Sequence, residues 1–328
     1  SGRILALIGV WPQIAPFIGK FNNIRLSDAH HPSIVPFATE DLGTDYLGYV
    51  GEHHIILKAL QDFIGDCDNI SWLCPAEVNQ VSYQNFSAVI SLNINGQEQQ
   101  LKNITTRGWK YWQSCLAFTI KHQLPQNNTA FERFWPSGPM GILPLPNNRC
   151  QIVWTNPHAE AKALQEMDRQ GFLDKLSEYT RGVLGEIELV SDRYLFPVQL
   201  MQSDRYVKSR LALVGDAAHC CHPVGGQGLN LGIRDAAALA QVLTEAHQQG
   251  KDIGTLEVLQ KYETWRKTEN LAILGFTDLL DRLFSNNWLP VVVVRRLGLW
   301  MMRHIPPLKR FSLQLMTGLL GKMPQLAQ

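Results

Sequence analysis

The chain has 328 residues, 45% hydrophobic and 18% charged, which suits about two domains with real cores and excludes a disordered or low-complexity protein. With 30 Lys and Arg against 29 Asp and Glu, the net charge is +1, which argues against a protein built to grip nucleic-acid phosphates. The N-terminus lacks the pattern of a secretory signal, and the longest apolar candidate, Trp288 to Val294, is closed by Arg295 and Arg296, short of a membrane span. Six cysteines without a paired Cys-x-x-Cys framework read as reduced thiols of a cytoplasmic protein.

In chain order, Ile4, Leu5, Ile8 and Trp11 recur at helical spacing, so residues 1–20 read as a short amphipathic helix. Residues 24–50 read as short strands and loops, and His54 to Ile64 as a helix. A strand meander is predicted over 71–102, with an Asn95-Gly96 turn. Strands follow at 109–120, 130–135, 139–144 and 150–155, the last two joined at Pro146-Asn147-Asn148. Residues 158–180 read as helical, 193–200 and 210–215 as strands, and 227–248 and 254–284 as helices. The tail, 288–322, is apolar and basic. This order predicts an α/β (α+β) protein with two interleaved domains.

The most informative stretch is Arg210 to Leu243, RLALVGDAAHCCHPVGGQGLNLGIRDAAALAQVL. Leu211, Leu213 and Val214 read as a buried strand that ends at Gly215-Asp216. A Gly-rich loop then opens into a long helix. Gly225, Gly226 and Gly228 let a ligand approach the backbone closely. The helix start offers free N–H groups and partial positive charge to a phosphate or to the electron-rich oxygen of a reduced flavin. Asp216 is placed to accept hydrogen bonds from sugar-like hydroxyls. Taken alone, such a turn suits tight packing as well as it suits a ligand.

The full string is more specific. Gly215, Asp216, Ala217, Ala218, His219, Pro223, Gly226, Gln227, Gly228 and Asp235 resemble the second flavin-binding motif of the class A FAD-dependent aromatic hydroxylases. GGQGLNLGIRDA, with Leu229 and Asn230, is similar to the branch that hydroxylates polyprenylated phenols in ubiquinone biosynthesis. The stretches 132–146 and 194–219 support that branch, and the resemblance covers nearly the whole chain. It implies an FAD-dependent monooxygenase acting on a prenylated aromatic small molecule and O2 through a flavin C4a-hydroperoxide, with NAD(P)H or another electron donor. Asp216 would hold the ribityl chain, and Pro223 to Asn230 would line the flavin ring. Residues 1–70 and 203–285 would belong to an FAD-binding Rossmann-like domain, 71–202 to a mainly antiparallel-sheet substrate domain, and 286–328 to a helical tail.

Two features of that family are absent: the Gly-x-Gly-x-x-Gly of the ADP site, and the Asp-Gly segment expected between QEQQLKN and ITTRGWKYWQ. The expectation is a chain that omits parts of the flavin domain, with a junction at Asn103–Ile104, and that holds no ordered FAD. A peptide bond of about 1.33 Å at that junction would overturn the omission. The family often has Arg where this chain has His54.

Other constellations have blander readings. His219-Cys220-Cys221-His222 is too contiguous to wrap a tetrahedral ion, so no metal site is expected. Gly-x-Ser-x-Gly is absent, which leaves a hydrolase without support. Trp109, Tyr111, Trp112, Phe131, Phe134, Trp135 and Trp154 read first as packing core and second as walls of an apolar pocket. Phe134 and Trp135 alternate in facing, so at most one points into any one cavity. The candidate pocket residues are Trp135, Pro223 and Gly225. The tail carries Arg295, Arg296, Trp300, Arg303, Lys309 and Arg310, with no acidic residue after Asp281, which suits peripheral binding to the inner face of an anionic membrane. The competing readings are a non-catalytic flavoprotein relative that binds quinone-like lipids, and a flavin dehydrogenase or reductase.

Overall fold

A computed structural model describes residues 1–29, 31, 34–70, 77–83, 88–93, 106–124 and 128–325. The Asn95-Gly96 turn and the Asn103–Ile104 junction lie outside these residues. Helices α1 (Gly2–Leu7) and α2 (Trp11–Ile14) open the chain, followed by a 3-10 turn and strand β1 (Gly19–Phe21). The single helix expected over 1–20 is therefore broken. Gly9 takes a left-handed φ of 85°, and Pro12 and Pro16 have no N–H to continue a helical ladder.

Strands β2 (Asn23–Asp28), β3 (Ile34–Ala38) and β4 (Gly48–Val50) precede helix α3 (His53–Gly65). Strands β5 (Glu77–Tyr83) and β6 (Ala88–Asn93) pair antiparallel. The central strands are β7 (Thr106–His122), β8 (Thr129–Trp135), β9 (Gly138–Leu145) and β10 (Arg149–Pro157). Asn147 and Asn148 turn β9 into β10 with φ values of 63° and 53°, a left-handed pair that asparagine tolerates. The helical stretch expected at 158–180 is two helices, α4 (His158–Glu166) and α5 (Arg169–Thr180). Asp168 separates them, its carboxylate accepting the Gly171 N–H at 2.9 Å as an N-cap.

Strands β11 (Ile187–Leu189), β12 (Tyr194–Ser203), β13 (Val207–Lys208), β14 (Leu211–Ala212) and β15 (His219–Cys220) lead to the C-terminal helices. These are α6 (Gly228–Gln248), α7 (Leu256–Phe284), α8 (Leu289–His304) and α9 (Pro306–Thr317). The buried strand expected at 210–215 shrinks to β14. It pairs with β13 in a two-stranded ribbon, so Leu211, Leu213 and Val214 are only half-buried.

Nine of the described strands form one sheet in the order β15-β12-β7-β10-β9-β8-β2-β3, with β11 also on β7. The β2–β8 contact is parallel, and the other pairings in this sheet are antiparallel. Alternation gives the sheet two different faces. One carries Leu116, Phe118, Ile120, Ile152 and Trp154 into a core against Phe172 and Leu176 of α5. The other, over β8 to β10, looks into a large cavity. A separate core joins Tyr206, Val242, Val258 and Tyr262 beneath α6 and α7.

The tail folds back onto the molecule. Leu299 of α8 and Leu313 of α9 pack with Val35, Phe37, Phe134 and Phe284. Arg295, expected at a membrane surface, is 5% exposed. Its Nε lies 2.9 Å from an Asp28 carboxylate oxygen, and one terminal nitrogen donates to the carbonyls of Leu283, Phe284 and Asn286. Lys309 pairs with Asp41 at 2.7 Å. Arg296, Trp300, Arg303 and Arg310 stay exposed.

Candidate active site

The site is built on the loop between β14 and α6. Gly215 turns the chain with a left-handed φ of 60°, and an added Cβ would sit in ordinary contact with α6, 3.5 Å from the Gly232 Cα. The loop is pinned by Asp235, a fully buried residue of α6. Its carboxylate accepts from Gly215 N at 3.2 Å, His219 Nε2 at 2.6 Å, Arg266 Nε at 2.8 Å and Asn270 Nδ2 at 3.1 Å. Burial alone would push this carboxyl up, but the His219 and Arg266 contacts outweigh it and hold the group below the ordinary carboxylate range. One side chain thus ties the loop's start, its return strand β15 and two helices together. The motif singled out Asp235, and its partners on α7 had no sequence signal.

His222 is also fully buried. Its Nδ1 accepts the Val224 N–H at 3.3 Å, its Nε2 lies 3.5 Å from Asp281, and its ring meets Tyr111 edge-on at 5.2 Å. Burial lowers its pKa. The two histidines of the His-Cys-Cys-His run therefore serve different carboxylates. Among the described residues, no group of three or more His, Cys, Asp or Glu is arranged to hold a metal.

Gly225 and Gly226 are both left-handed, with φ of 70° and 59°. They swing the chain so that α6 starts at Gly228 with no side-chain cap, leaving its first N–H groups open to a ligand. Gln227 donates its Nε2 to the Gly225 carbonyl at 2.9 Å, and Asn230 donates its Nδ2 to the Gly226 carbonyl at 3.0 Å. The Gln227 Oε1 is buried and has no partner among the described residues.

This loop forms one wall of a cavity of about 1010 Å³. Pro223, Gly225, Gly226, Gln227, Leu229 and Asn230 line it. The sheet face opposite contributes Glu132 and Phe134 of β8, Gly141 of β9, and Val153 and Thr155 of β10, and the tail contributes Met302, Leu313 and Met316. Of the residues expected at the cofactor, Gly215, Asp216, Ala217 and Gly228 lie outside this lining, with Asp216 and Ala217 exposed. Trp135 is not a pocket wall. It packs on Tyr179 at 4.5 Å under Arg181, because β8 turns its side chain to the other face. Its neighbour Phe134 faces the cavity instead, stacked at 3.8 Å on Phe284. Trp154 is wholly buried in the core, while Trp109 and Trp112 are exposed.

The residues present fit the flavin part of FAD. A Cβ at Gly226 or Gly228 would meet nothing within 4 Å, so a flat ring can approach the backbone. The open helix start suits negative charge on a ring, and the orphan Gln227 oxygen can accept a ring N–H. No Gly-x-Gly-x-x-Gly occurs in the sequence, so no residues can be named for the pyrophosphate.

Residues 113–276 match the FAD binding domain family, a span that includes the loop, Asp235 and Glu132. The chain is 54% identical over 345 aligned positions to the uncharacterized protein slr1300 of Synechocystis sp., covering 100% of this chain and 83% of that protein. It is 33% identical over 338 positions to the ubiquinone hydroxylase UbiL of Rhodospirillum rubrum, covering 98% and 79%. Its fold is similar to the crystal structure of p-nitrophenol 4-monooxygenase PnpA from Pseudomonas putida, with a TM-score of 0.77 at 14% identity over 98% of this chain and 87% of the other. The matched domain, these relatives and the loop geometry agree, and the chain belongs to the FAD-dependent aromatic monooxygenases.

Proposed function

We propose that this protein hydroxylates the ring of a polyprenylated phenol in quinone biosynthesis, drawing electrons from NAD(P)H or another donor, beside a membrane surface. One observation carries the reading: the cavity runs from the open start of α6 to the methionine- and leucine-rich inner side of the tail helices. A phenol head and an apolar tail match those two ends. Bound FAD would supply the oxygen-activating ring.

The chain's own residues supply the surroundings. Gly225 and Gly226 bring the backbone to the flavin, Gln227 and the α6 N–H groups orient it, and Asp216 is the candidate partner of its ribityl hydroxyls. Phe134, Leu313 and Met316 keep water from the reacting centre, which strengthens every electrostatic contact there. Similarity to a ubiquinone hydroxylase supports the quinone branch. The test is reconstitution of the full-length protein with FAD, followed by mass analysis of products from prenylated phenols. A product heavier by one oxygen, formed faster from prenylated than from bare phenols, is expected. NAD(P)H oxidation without hydroxylated product would favour a flavin reductase instead.

A further inference from the structure

We propose that Glu132 takes the proton from the substrate's phenol hydroxyl and so activates the ring for hydroxylation. This rests on the phenol reading above. Glu132 stands on the cavity face of β8, in a row set by strand register: Leu26 of β2, Glu132, Gly141 of β9, Val153 of β10. Its neighbours in that row carry no charge. The carboxyl lies over Gly141: a Cβ added there would be in ordinary contact with it, 3.5 Å from a carboxylate oxygen. Among the described residues, no hydrogen-bond donor or cation pairs with the carboxyl. Part of the side chain's surface is open only because it is cavity wall.

An unpaired carboxyl in a large, mostly apolar cavity is costly, and buried polar groups normally find partners. A phenol O–H is the partner this one lacks. Burial alone pushes the Glu132 carboxyl up, to about 8. Cys115 on β7 is the titratable group that feels its charge across the sheet. Arg234 of α6 and Glu269 of α7 sit on the cavity walls those helices form. A base with this affinity holds a proton more nearly like a phenol, whose ordinary value is about 10, than a solvated carboxylate does.

In the step proposed, the phenol O–H bond breaks and its proton forms an O–H bond with the Glu132 carboxylate. The electron pair left on the phenol oxygen spreads into the ring, where the carbon to be hydroxylated becomes more nucleophilic. That carbon gains one oxygen atom of O2 and loses its hydrogen as a proton. The second oxygen atom leaves as water with the two electrons of the reduced nicotinamide or other donor.

The experiment compares FAD-loaded full-length wild type with Glu132→Gln and Glu132→Asp. For wild type, kcat/KM should rise with pH through a limb near 8, as the carboxyl loses its proton. Glu132→Gln should lose that limb and fall on the order of 100-fold, a general-base loss. Its deficit should shrink for phenols acidic enough to ionise unaided, and Glu132→Asp should recover part of the rate. Two readouts need no turnover. A chromogenic phenol bound to the oxidised protein should show its phenolate spectrum in wild type and its neutral spectrum in Glu132→Gln. The raised carboxyl also makes the folded state hold a proton that the unfolded chain releases near pH 4.3, so wild-type stability falls as pH rises toward 8. The Tm advantage of Glu132→Gln should therefore grow over that range. A Glu132→Gln variant with the wild-type limb, or with an equal deficit for all phenols, overturns the proposal. Wild type that hydroxylates no phenol overturns the functional reading instead.

Discussion

Asp235 shows how much one buried charge can organise. Its four donors come from a loop turn, a short strand and α7, and they converge on a carboxylate with no exposure to solvent. Removing it takes one of two carboxylates from the buried Arg266 guanidinium, which keeps Glu269 and Asn270, and leaves the His219 donor without its acceptor; losing one partner of a buried pair costs up to about 3–5 kcal/mol. Asp235→Ala is expected to lose stability of that order in denaturant unfolding, and to retain less FAD because the loop is no longer pinned. The pH dependence has a definite sign. The folded-state pKa is depressed, so the stabilisation is present above the unfolded value of about 3.9 and is lost as pH falls through the lower folded value. Wild type and Asp235→Asn should therefore begin to converge in stability only as pH falls below about 4, and a gap that stayed constant to lower pH would contradict this account.

At the level of elements, Arg295 decides what the tail is. Among seven cations after Asp281 it looks from sequence like one more solvated charge, yet it enters the interior between α7 and β2. A guanidinium offers enough donors to satisfy one carboxylate and three carbonyls at once, whereas a lysine cannot. Arg295→Ala should take the guanidinium away from the buried Asp28 carboxylate and from three backbone carbonyls, and should raise amide hydrogen exchange across 289–317 while leaving α5 protected. Arg295→Lys should restore little. This is also where reading the sequence reaches its limit. The strands from 109 to 155 and the helices after 227 were legible because their apolar periodicities are long and their turns carry Asn, Pro and Gly. The Gly-rich loop before α6 stood out because its spacing is specific. Arg295, Glu132 and the partners of Asp235 were not, because each role depends on which face of one element meets another far along the chain. Alternation places Phe134 and Glu132 on one side of β8, but which side is the cavity is decided by α5 covering the other face.

For the whole molecule, the question is how an apolar substrate would reach the cavity. Among the described residues, no helix is long and apolar enough to cross a membrane. The outer side of α8 nevertheless exposes Leu289, Val293, Leu297 and Trp300, each more than half exposed, beside Arg296 and Arg303. Its inner side contributes Leu299 to the core and Met302 to the cavity wall. A helix with these two sides suits the surface of an anionic bilayer, with a lipid-borne tail passing beneath it. Deleting residues 288–328 would not test this, because it would also remove Leu299, Leu313 and Arg295 from the interior. Surface substitutions separate the two roles. Each cation near an anionic surface contributes about 1 kcal/mol, so Arg296→Glu with Arg303→Glu should weaken sedimentation with anionic vesicles on the order of 100-fold, with little change on neutral ones. Val293→Ser with Leu297→Ser should weaken binding to both. Both pairs should keep the wild-type Tm and turnover of a short, soluble phenol while losing turnover of a prenylated phenol presented in vesicles. Equal sedimentation of all forms would end the membrane reading, and a change in oligomeric state instead would mark the face as a contact between two copies of the chain.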